Sequence, residues 1–217
     1  MSLNPLVTQT LSTAQISIEI AATAAFALSG ILEAVRKKLD VVGMTVVAFL
    51  AAFGGGTLRD VLLDRRPFFW VEHSWYVWAV LLLCLSAGAW LRGHHLAPTQ
   101  QAMLWPDALG LGLFAASGTQ IALAANMPAL VAVLMGVMTA VFGGVLRDIV
   151  CNEIPSAFHG HQPYAVCAFA GGWVVVGAQA LSLTSAVGLA LGAAAASGLR
   201  LLALWRDWRL PDLRIHR

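Results

Sequence analysis

Apolar residues fill this sequence in seven long runs, which short polar or proline-containing stretches separate. The runs lie near residues 15–35, 40–63, 75–91, 104–125, 128–150, 164–181 and 184–204. Each approaches the length of about 20 residues that an α-helix needs to cross the hydrocarbon core of a bilayer. Helices satisfy their own backbone hydrogen bonds inside lipid. The pattern therefore predicts an all-α membrane protein in which seven transmembrane helices form a single domain over residues 1–217.

Composition supports a membrane location and excludes several classes of protein. Hydrophobic residues make up 59% of the 217 residues and charged residues 11%, whereas a soluble domain carries about 25% charged residues. These values exclude a cytosolic globular enzyme, a disordered chain and a disulfide scaffold. The net charge of +2 gives no argument for nucleic acid as a partner. Cys84, Cys151 and Cys167 are far apart in the sequence, and we expect them to be buried in apolar packing.

The sequence repeats itself at a shift of 88 residues, which aligns residues 26–30 with 114–118 and residues 55–60 with 143–148 without a gap. About 12 of the 42 aligned pairs from Phe26 to Pro67 are identical. Each copy holds three apolar runs, over 15–91 and 104–181, so the second copy must enter the membrane from the opposite side. The sequence thus predicts a 3+3 inverted repeat with an appended helix at 184–204.

Basic residues between the runs predict the orientation in the membrane. One side receives nine of them, and the other side receives only Arg65 and Arg66. The nine are Arg36, Lys37, Lys38 and Arg92 in loops, and Arg200, Arg206, Arg209, Arg214 and Arg217, which we assign to a basic C-terminal tail. Because the positive side stays in the cytoplasm, we expect a bacterial inner membrane protein with a periplasmic N-terminus and a cytoplasmic C-terminus. Arg36 is the first basic residue, so we expect the first helix to be retained and not cleaved as a signal peptide.

Adjacent glycines occur late in the second and fifth predicted helices, as Gly54, Gly55 and Gly56 and as Gly143 and Gly144. Each glycine weakens a helix by about 1 kcal/mol, so the backbone can kink or unwind and free its carbonyl groups. Such carbonyls face water or bind cations in transporters and channels. The alternative is close helix packing. Because the glycines recur in both copies, we expect them to line a pore and to hold a monovalent cation at carbonyls near Gly55 and Gly143.

An Arg-Asp pair follows each glycine motif, as Arg59-Asp60 and Arg147-Asp148. A charge inside a membrane span costs on the order of 3 kcal/mol. Neighbours on a helix point about 100° apart, so each pair needs a further partner or water. We expect a charged constriction at each end of a permeation path, with Arg59-Asp60 toward the outer face and Arg147-Asp148 toward the inner face. The alternative is that both arginines snorkel to the interface.

The same shift aligns two acidic residues, Glu19 and Asp107. We expect them to form a cation-attracting mouth, and the alternative for Asp107, which follows Pro106, is a helix N-cap. Glu33 is expected to pair with Arg36 on one helix face. The sequence has no phosphate loop, nucleophile elbow or helical histidine pair that would favour an enzyme. We therefore expect no catalysis and no cofactor, apart from a bound potassium or sodium ion.

The repeated Phe-Ala-x-Ser-Gly and Gly-Gly-x-Leu-Arg-Asp motifs, in three plus three plus one helices, resemble the prokaryotic trimeric intracellular cation (TRIC) channel family. That family includes members described as glycine transporters. The resemblance spans roughly Glu19 to Leu204. It implies a homotrimer in membrane lipid with a separate pore in each protomer, which conducts monovalent cations and prefers potassium. It also implies that the second and fifth helices line the pore and bend at their glycines.

Two sequence details bear on that implied architecture. Phe142 stands where the first motif has Gly54, so the fifth helix is expected to bend less than the second. Small residues at Ala132, Gly136 and Ala140 allow close helix approach and are candidates for the trimer contact. The sequence therefore predicts a potassium-permeable channel. The alternative is a secondary transporter for a small amino acid such as glycine, whereas four intramembrane charges disfavour a purely structural protein.

Overall fold

The computed structural model describes residues 13–94, 99–158 and 162–211, which form eight helices and no strand. The helices are α1 (Thr13–Arg36), α2 (Val41–Leu62), α3 (Phe69–Glu72), α4 (Trp75–His94), α5 (Gln100–Ala124), α6 (Ala129–Val150), α7 (Ala165–Ala180) and α8 (Ser185–Trp205). Each predicted apolar run coincides with one long helix, and the four-residue α3 is additional. Arg214 and Arg217, which enter the orientation argument, lie outside the described residues.

Five of these helices are long and apolar enough to cross a bilayer within the part of the chain that the structure describes: α1, α2, α5, α6 and α8. The fourth and seventh helices contain shorter apolar segments, Trp75–Trp90 and Ala165–Ala180. Large apolar side chains such as Val42, Trp78 and Leu82 are exposed, as expected of a surface that faces lipid. The prediction of an all-helical membrane protein is confirmed.

Polar caps and left-handed residues fix the ends of several helices. The side chain of Asp40 accepts a hydrogen bond from the Gly43 N–H (2.7 Å) at the start of α2, and Thr99 accepts one from the Ala102 N–H (3.2 Å) at the start of α5. Lys38 (φ 57°) follows α1, and Asn126 (φ 58°), 88 residues later, follows α5. The two copies therefore use the same turn to leave equivalent helices.

Pro106 lies inside helix α5 and not in a proline-containing break between apolar runs. Helix α5 begins at Gln100, so Pro106 is in its second turn. Proline lacks the N–H that would bond the carbonyl of Ala102, a loss that helices tolerate better near their start than in their middle. Asp107 consequently lies within α5 and does not cap it, because Thr99 occupies the N-cap position.

Helices α1, α2, α5 and α6 form the centre of the bundle, and the contacts between the two copies occur in exchanged pairs. A methyl group on Gly55 would overlap the carbonyl oxygen of Thr139, and one on Gly143 would overlap that of Ala51. Gly55 and Gly143 are 88 residues apart, and so are Ala51 and Thr139. Two units related by a two-fold axis make contacts of this self-complementary kind.

Aromatic and small side chains complete the interior. The rings of Phe26 and Phe114, again 88 residues apart, stack with centroids 5.6 Å apart between α1 and α5. The cysteines Cys84, Cys151 and Cys167 are free and buried in apolar packing, as predicted. Several charged side chains are also buried in the bundle, and most of them form two clusters that are described next.

Candidate functional site: two buried arginine clusters

The first arginine cluster consists of Arg59, Glu19 and Asp60. Arg59 on α2 donates from Nη1 to Oε1 of Glu19 on α1 (2.6 Å) and from Nε to Oδ1 of Asp60 (2.9 Å). The other oxygen of Asp60 accepts the backbone N–H of Phe69 (2.9 Å), and the Ser117 hydroxyl lies 3.3 Å from Glu19 Oε1. Both carboxylate oxygens of Asp60 therefore accept a hydrogen bond from a neighbouring residue. The cluster joins α1, α2, α3 and α5.

The second arginine cluster consists of Arg147, Asp107 and Asp148. Arg147 on α6 donates from Nη1 to Oδ1 of Asp107 on α5 (2.5 Å) and from Nε to Oδ1 of Asp148 (2.8 Å). The other oxygen of Asp148 accepts the backbone N–H of Ser156 (2.9 Å), and Arg147 also donates to the hydroxyl of Ser29 on α1. The arrangement reproduces the first cluster with an aspartate in place of the glutamate.

A serine from the opposite copy enters each cluster. Ser117 belongs to the second copy and contacts the first cluster, whereas Ser29 belongs to the first copy and contacts the second. These two serines occupy the same position of the repeated Phe-Ala-x-Ser-Gly motif. The motif therefore supplies the polar contact by which each copy reaches the charges of the other.

Both arginines are fully buried, with 0% of their side chains exposed. This finding contradicts the alternative that they snorkel to the interface. Each guanidinium lies between two carboxylates, which gives each cluster a formal charge of −1. Breaking a buried ion pair leaves an uncompensated charge and costs about 3–5 kcal/mol. Removing any one partner would therefore destabilise the packing of the helices that the clusters join.

Glu19 and Asp107 do not form a cation-attracting mouth, which corrects that prediction. Each is 1% exposed and bonds directly to a buried arginine. The sequence contained a signal for this pairing, because Glu19 precedes Arg59 by 40 residues and Asp107 precedes Arg147 by 40 residues. An acid and a base at equal separation in both copies indicate partners in space.

The glycine motifs lie in continuous helices, which corrects the expectation of an unwound segment. Helical structure runs without interruption through Gly54, Gly55 and Gly56 in α2 and through Gly143 and Gly144 in α6. The backbone at Gly55 and Gly143 instead packs against the facing helix. Carbonyl groups there remain in the helical hydrogen-bond pattern, so these residues do not fit a monovalent cation site at freed carbonyls. Within the described ranges, no cluster of His, Cys, Asp and Glu suits a metal either.

The second cluster borders a cavity of about 480 Å³, here called the inner cavity. Its lining residues are Glu33, Arg36, Gln101, Met103, Leu104, Asp148, Glu153, Ile154, Ser156, Gln162 and Arg200. Asp148 reaches this cavity and is 5% exposed, whereas Asp60 is 0% exposed. The two Arg-Asp pairs are therefore alike in bonding and different in their access to water.

Ion pairs close one side of the inner cavity. Arg36 donates from Nη2 to Oε1 of Glu33 (2.6 Å), which confirms the predicted pair. Glu153, in the loop after α6, accepts from Lys37 and from Arg36 (3.3 Å). These basic neighbours lower the pKa of the exposed Glu153 carboxyl below its ordinary value. The loop after α6 is thereby attached to the end of α1.

The small residues suggested for a trimer contact are occupied inside the chain, which corrects that suggestion. Ala132 and Ala140 are fully buried. A methyl group on Gly136 would overlap the carbonyl oxygen of Ala115 and the hydroxyl of Thr119 on α5. This face of α6 therefore packs against α5 and is not free to contact another protomer.

Arg200 differs from its sequence interpretation as a residue of the basic tail. It lies inside α8, is 1% exposed, and its guanidinium carbon is 4.9 Å from the ring centroid of Tyr164. The sequence did contain a signal for the burial of Arg200, because this charged residue lies inside the predicted apolar run 184–204. No comparable signal marks Tyr164, because a single tyrosine at the end of a run is typical of a membrane interface.

The sequence of this chain is similar to a known family and to several bacterial membrane proteins. A family model described as glycine transporter matches residues 16–92 and again residues 104–180, two ranges offset by 88 residues. The chain is 35% identical over 201 residues to a UPF0126 membrane protein of Vibrio cholerae, which covers 91% of this chain and 82% of that protein. A UPF0126 membrane protein of Deinococcus radiodurans is 36% identical over 171 residues, with 78% and 79% covered.

Several solved structures also have a fold similar to that of this chain. The crystal structures of a TRIC trimeric intracellular cation channel orthologue from Rhodobacter sphaeroides include a chain with a TM-score of 0.83 and 33% identity, which covers 91% of this chain and 100% of that one. The chain belongs to the TRIC family. Another structure, from a study of conductance through TRIC cation channels, has a TM-score of 0.82 and 33% identity, with 93% and 98% covered. These structural neighbours of the TRIC protein are channels, so the comparisons support a cation channel.

Proposed function

We propose that this TRIC protein is a potassium-preferring monovalent cation channel with a pore inside each protomer of a homotrimer. The observation that carries the proposal is the likeness to the Rhodobacter sphaeroides TRIC channel orthologue, at 33% identity over 91% of the chain. The two buried arginine clusters support it, because intramembrane charges that face a bundle interior are typical of ion pathways.

The proposed topology has seven spans, of which residues 15–91 and 104–181 form the inverted repeat and residues 184–204 the appended helix. The exchanged contacts of Gly55 with Thr139 and of Gly143 with Ala51 support a two-fold relation between the copies. The distribution of basic residues supports a periplasmic N-terminus and a cytoplasmic C-terminus in the inner membrane. In this orientation Arg59-Asp60 lies toward the periplasm and Arg147-Asp148 toward the cytoplasm.

The proposed permeation path runs between the two copies, along the glycine faces of α2 and α6. One arginine cluster closes each end, and the two helices touch at Gly55 and Gly143 between them. Passage of an ion requires that the guanidinium groups of Arg59 and Arg147 leave the path while the acids remain. Asp60 and Asp148 then act as the acids that attract the cation at the two constrictions.

The two constrictions are unequal, and this inequality provides the test. Asp148 borders the inner cavity and Asp60 borders closely packed side chains, so cations from the aqueous phase meet Asp148 first. We expect Asp148→Asn to change potassium flux in proteoliposomes more than Asp60→Asn does. Asp207→Asn, at an exposed site beside Arg209, is the matched control. If both variants assemble and conduct like the parent protein, the acids are structural and the proposed constrictions are wrong.

A second candidate function is secondary transport of a small amino acid such as glycine. The description of the family model as glycine transporter favours it. Flux measurements separate the two functions, because a carrier saturates with glycine and shows counterflow. A channel instead dissipates a potassium gradient without glycine.

A further inference from the structure

Helix α3 covers the first arginine cluster, whereas the second cluster borders the inner cavity. Phe69, the first residue of α3, is 1% exposed, and its ring occupies the space that a methyl group on Gly56 of α2 would need. The equivalent glycine of the second copy, Gly144, faces the Tyr164 hydroxyl instead. The two copies therefore differ in what separates their buried charges from water.

Phe69 contacts both residues of the Arg59-Asp60 pair. Its backbone N–H donates to Oδ2 of Asp60 (2.9 Å), and its ring centroid lies 5.5 Å from the guanidinium carbon of Arg59. A cation over the face of an aromatic ring is attracted electrostatically, and the attraction increases when water is excluded. Phe69 thus helps to hold the guanidinium group in place and keeps water away from both charges.

Side-chain contacts, and not the helix itself, hold α3 in this position. The helix has four residues, Phe69–Glu72, and helices shorter than about 12–15 residues are marginal on their own in water. Besides the contacts of Phe69, the indole N–H of Trp70 donates to the Thr57 hydroxyl (3.0 Å). Helix α3 can therefore move away from α2 without the unfolding of a long helix.

The closure at the first cluster is tighter than the closure at the second. Asp60 is 0% exposed beneath α3, whereas Asp148 is 5% exposed at a cavity of about 480 Å³. When two closures lie in series along one path, the tighter closure limits the flux. The closure at α3 is therefore the one that limits flux in this conformation.

We propose that Phe69 plugs the constriction at Arg59-Asp60, and that an ion passes only when α3 withdraws the ring from Gly56. This inference rests on the proposed channel function and adds to it a residue outside both repeated motifs. Withdrawal removes the aromatic face from Arg59 and the N–H donor from Asp60 together. Both charges then meet water, and the guanidinium group is released from the path.

The experiment compares potassium flux in proteoliposomes for the parent protein and four variants. Phe69→Ala removes the ring, and Gly56→Ala displaces the ring because the new methyl group overlaps it. Each is expected to raise flux at least about tenfold, since losing a buried aromatic contact destabilises only the closed state. Phe69→Leu keeps an apolar group of intermediate size and should raise flux less. Val71→Ala, at an exposed site on the same helix, is the matched control and should conduct like the parent.

The double variant Gly56→Ala/Phe69→Ala tests whether the two residues act through one contact. When the ring is absent, the methyl group at residue 56 has no ring to displace. The double variant should therefore have the flux of Phe69→Ala alone, because residues that share a contact are not additive. A purely structural role of Phe69 predicts the opposite sign, a lower flux in Phe69→Ala.

Hydrogen exchange separates this inference from the channel proposal, because it measures the withdrawal of α3 without any flux. Exchange of the backbone amides of residues 69–72 should be about tenfold faster in Gly56→Ala than in the parent protein, since the segment opens as one unit. Faster exchange in a protein whose variants all fail to conduct potassium would overturn the proposed channel and, with it, the plug. Faster exchange with unaltered conduction would overturn the plug alone.

Three further results would overturn the proposal. They are a parental flux in both Phe69→Ala and Gly56→Ala after correct assembly, multiplied effects in the double variant, and unchanged exchange of residues 69–72 in Gly56→Ala. If Gly56→Ala does not fold, the graded flux of Phe69→Leu and Phe69→Ala and the exchange of residues 70–72 in Phe69→Ala provide the same test.

Discussion

The contact between α2 and α6 at Gly55 leads to a sharp prediction about helix packing. Replacing Gly55 with alanine places a methyl group on the carbonyl oxygen of Thr139, which is backbone and cannot rotate away. The two helices must therefore move apart. Gly143→Ala makes the equivalent change against Ala51.

The structure allows the size of this effect to be estimated. Overpacking of a closely packed interior costs about 1–3 kcal/mol. Alanine also stabilises a helix interior by about 0.5–1 kcal/mol relative to glycine, which offsets part of that cost. The difference of these two terms is about 0–2.5 kcal/mol. Because each methyl group would overlap a backbone oxygen, we expect Gly55→Ala and Gly143→Ala to lower the free energy of unfolding by an amount in the upper half of that range.

Two other glycines provide matched controls for this change. Gly177 on α7 and Gly198 on α8 are helical, and a methyl group on either would meet nothing within 4 Å. Alanine at these sites should leave stability unchanged or raise it by about 0.5–1 kcal/mol. The measurement is unfolding of each purified variant in the same detergent. The packing argument would be refuted if Gly55→Ala and Gly143→Ala were as stable as the two controls.

Three further predictions follow from the charged residues. Arg147→Met leaves the carboxylates of Asp107 and Asp148 buried without their guanidinium partner. The free energy of unfolding should therefore fall by about 3–5 kcal/mol. A decrease below about 1 kcal/mol would contradict the role of the cluster. Lys37 lowers the pKa of the Glu153 carboxyl below its ordinary value of 4.5. The ion pair therefore contributes fully to stability at a pH above 4.5, and this contribution is lost as the pH falls through the lowered pKa. The melting difference between the parent and Glu153→Gln should therefore vanish in acid, and a constant difference would argue against the pair. A reporter fused after Arg217 should be active in the cytoplasm, and periplasmic activity would overturn both the topology and the inverted repeat.

Internal duplication allowed much of the charge pairing to be anticipated from sequence. A shift of 88 residues aligned Arg59 with Arg147 and Glu19 with Asp107. The expectation that each Arg-Asp pair needs a further partner agrees with the contacts to Glu19 and Asp107. The partner itself was not named, because sequence order does not tell which helix faces which.

The glycines illustrate why tertiary structure was needed. A glycine pair in a membrane helix favours both bending and close packing, and the two differ only in whether another backbone approaches. In this protein the carbonyl groups of Thr139 and Ala51 approach Gly55 and Gly143, and the helices remain continuous. That approach depends on residues far away in the sequence.

The sequence by itself determined the membrane location, the helical class and the positions of the long helices, because each depends on the local run of apolar residues and on its length. It also determined which residues are equivalent in the two copies. The tertiary structure alone decided that Glu19 and Asp107 are buried partners of arginines, and that Arg200 lines a cavity instead of extending into the tail. The physical reason is that burial and charge compensation depend on which helices pack together, and hydropathy along one chain contains no record of that packing.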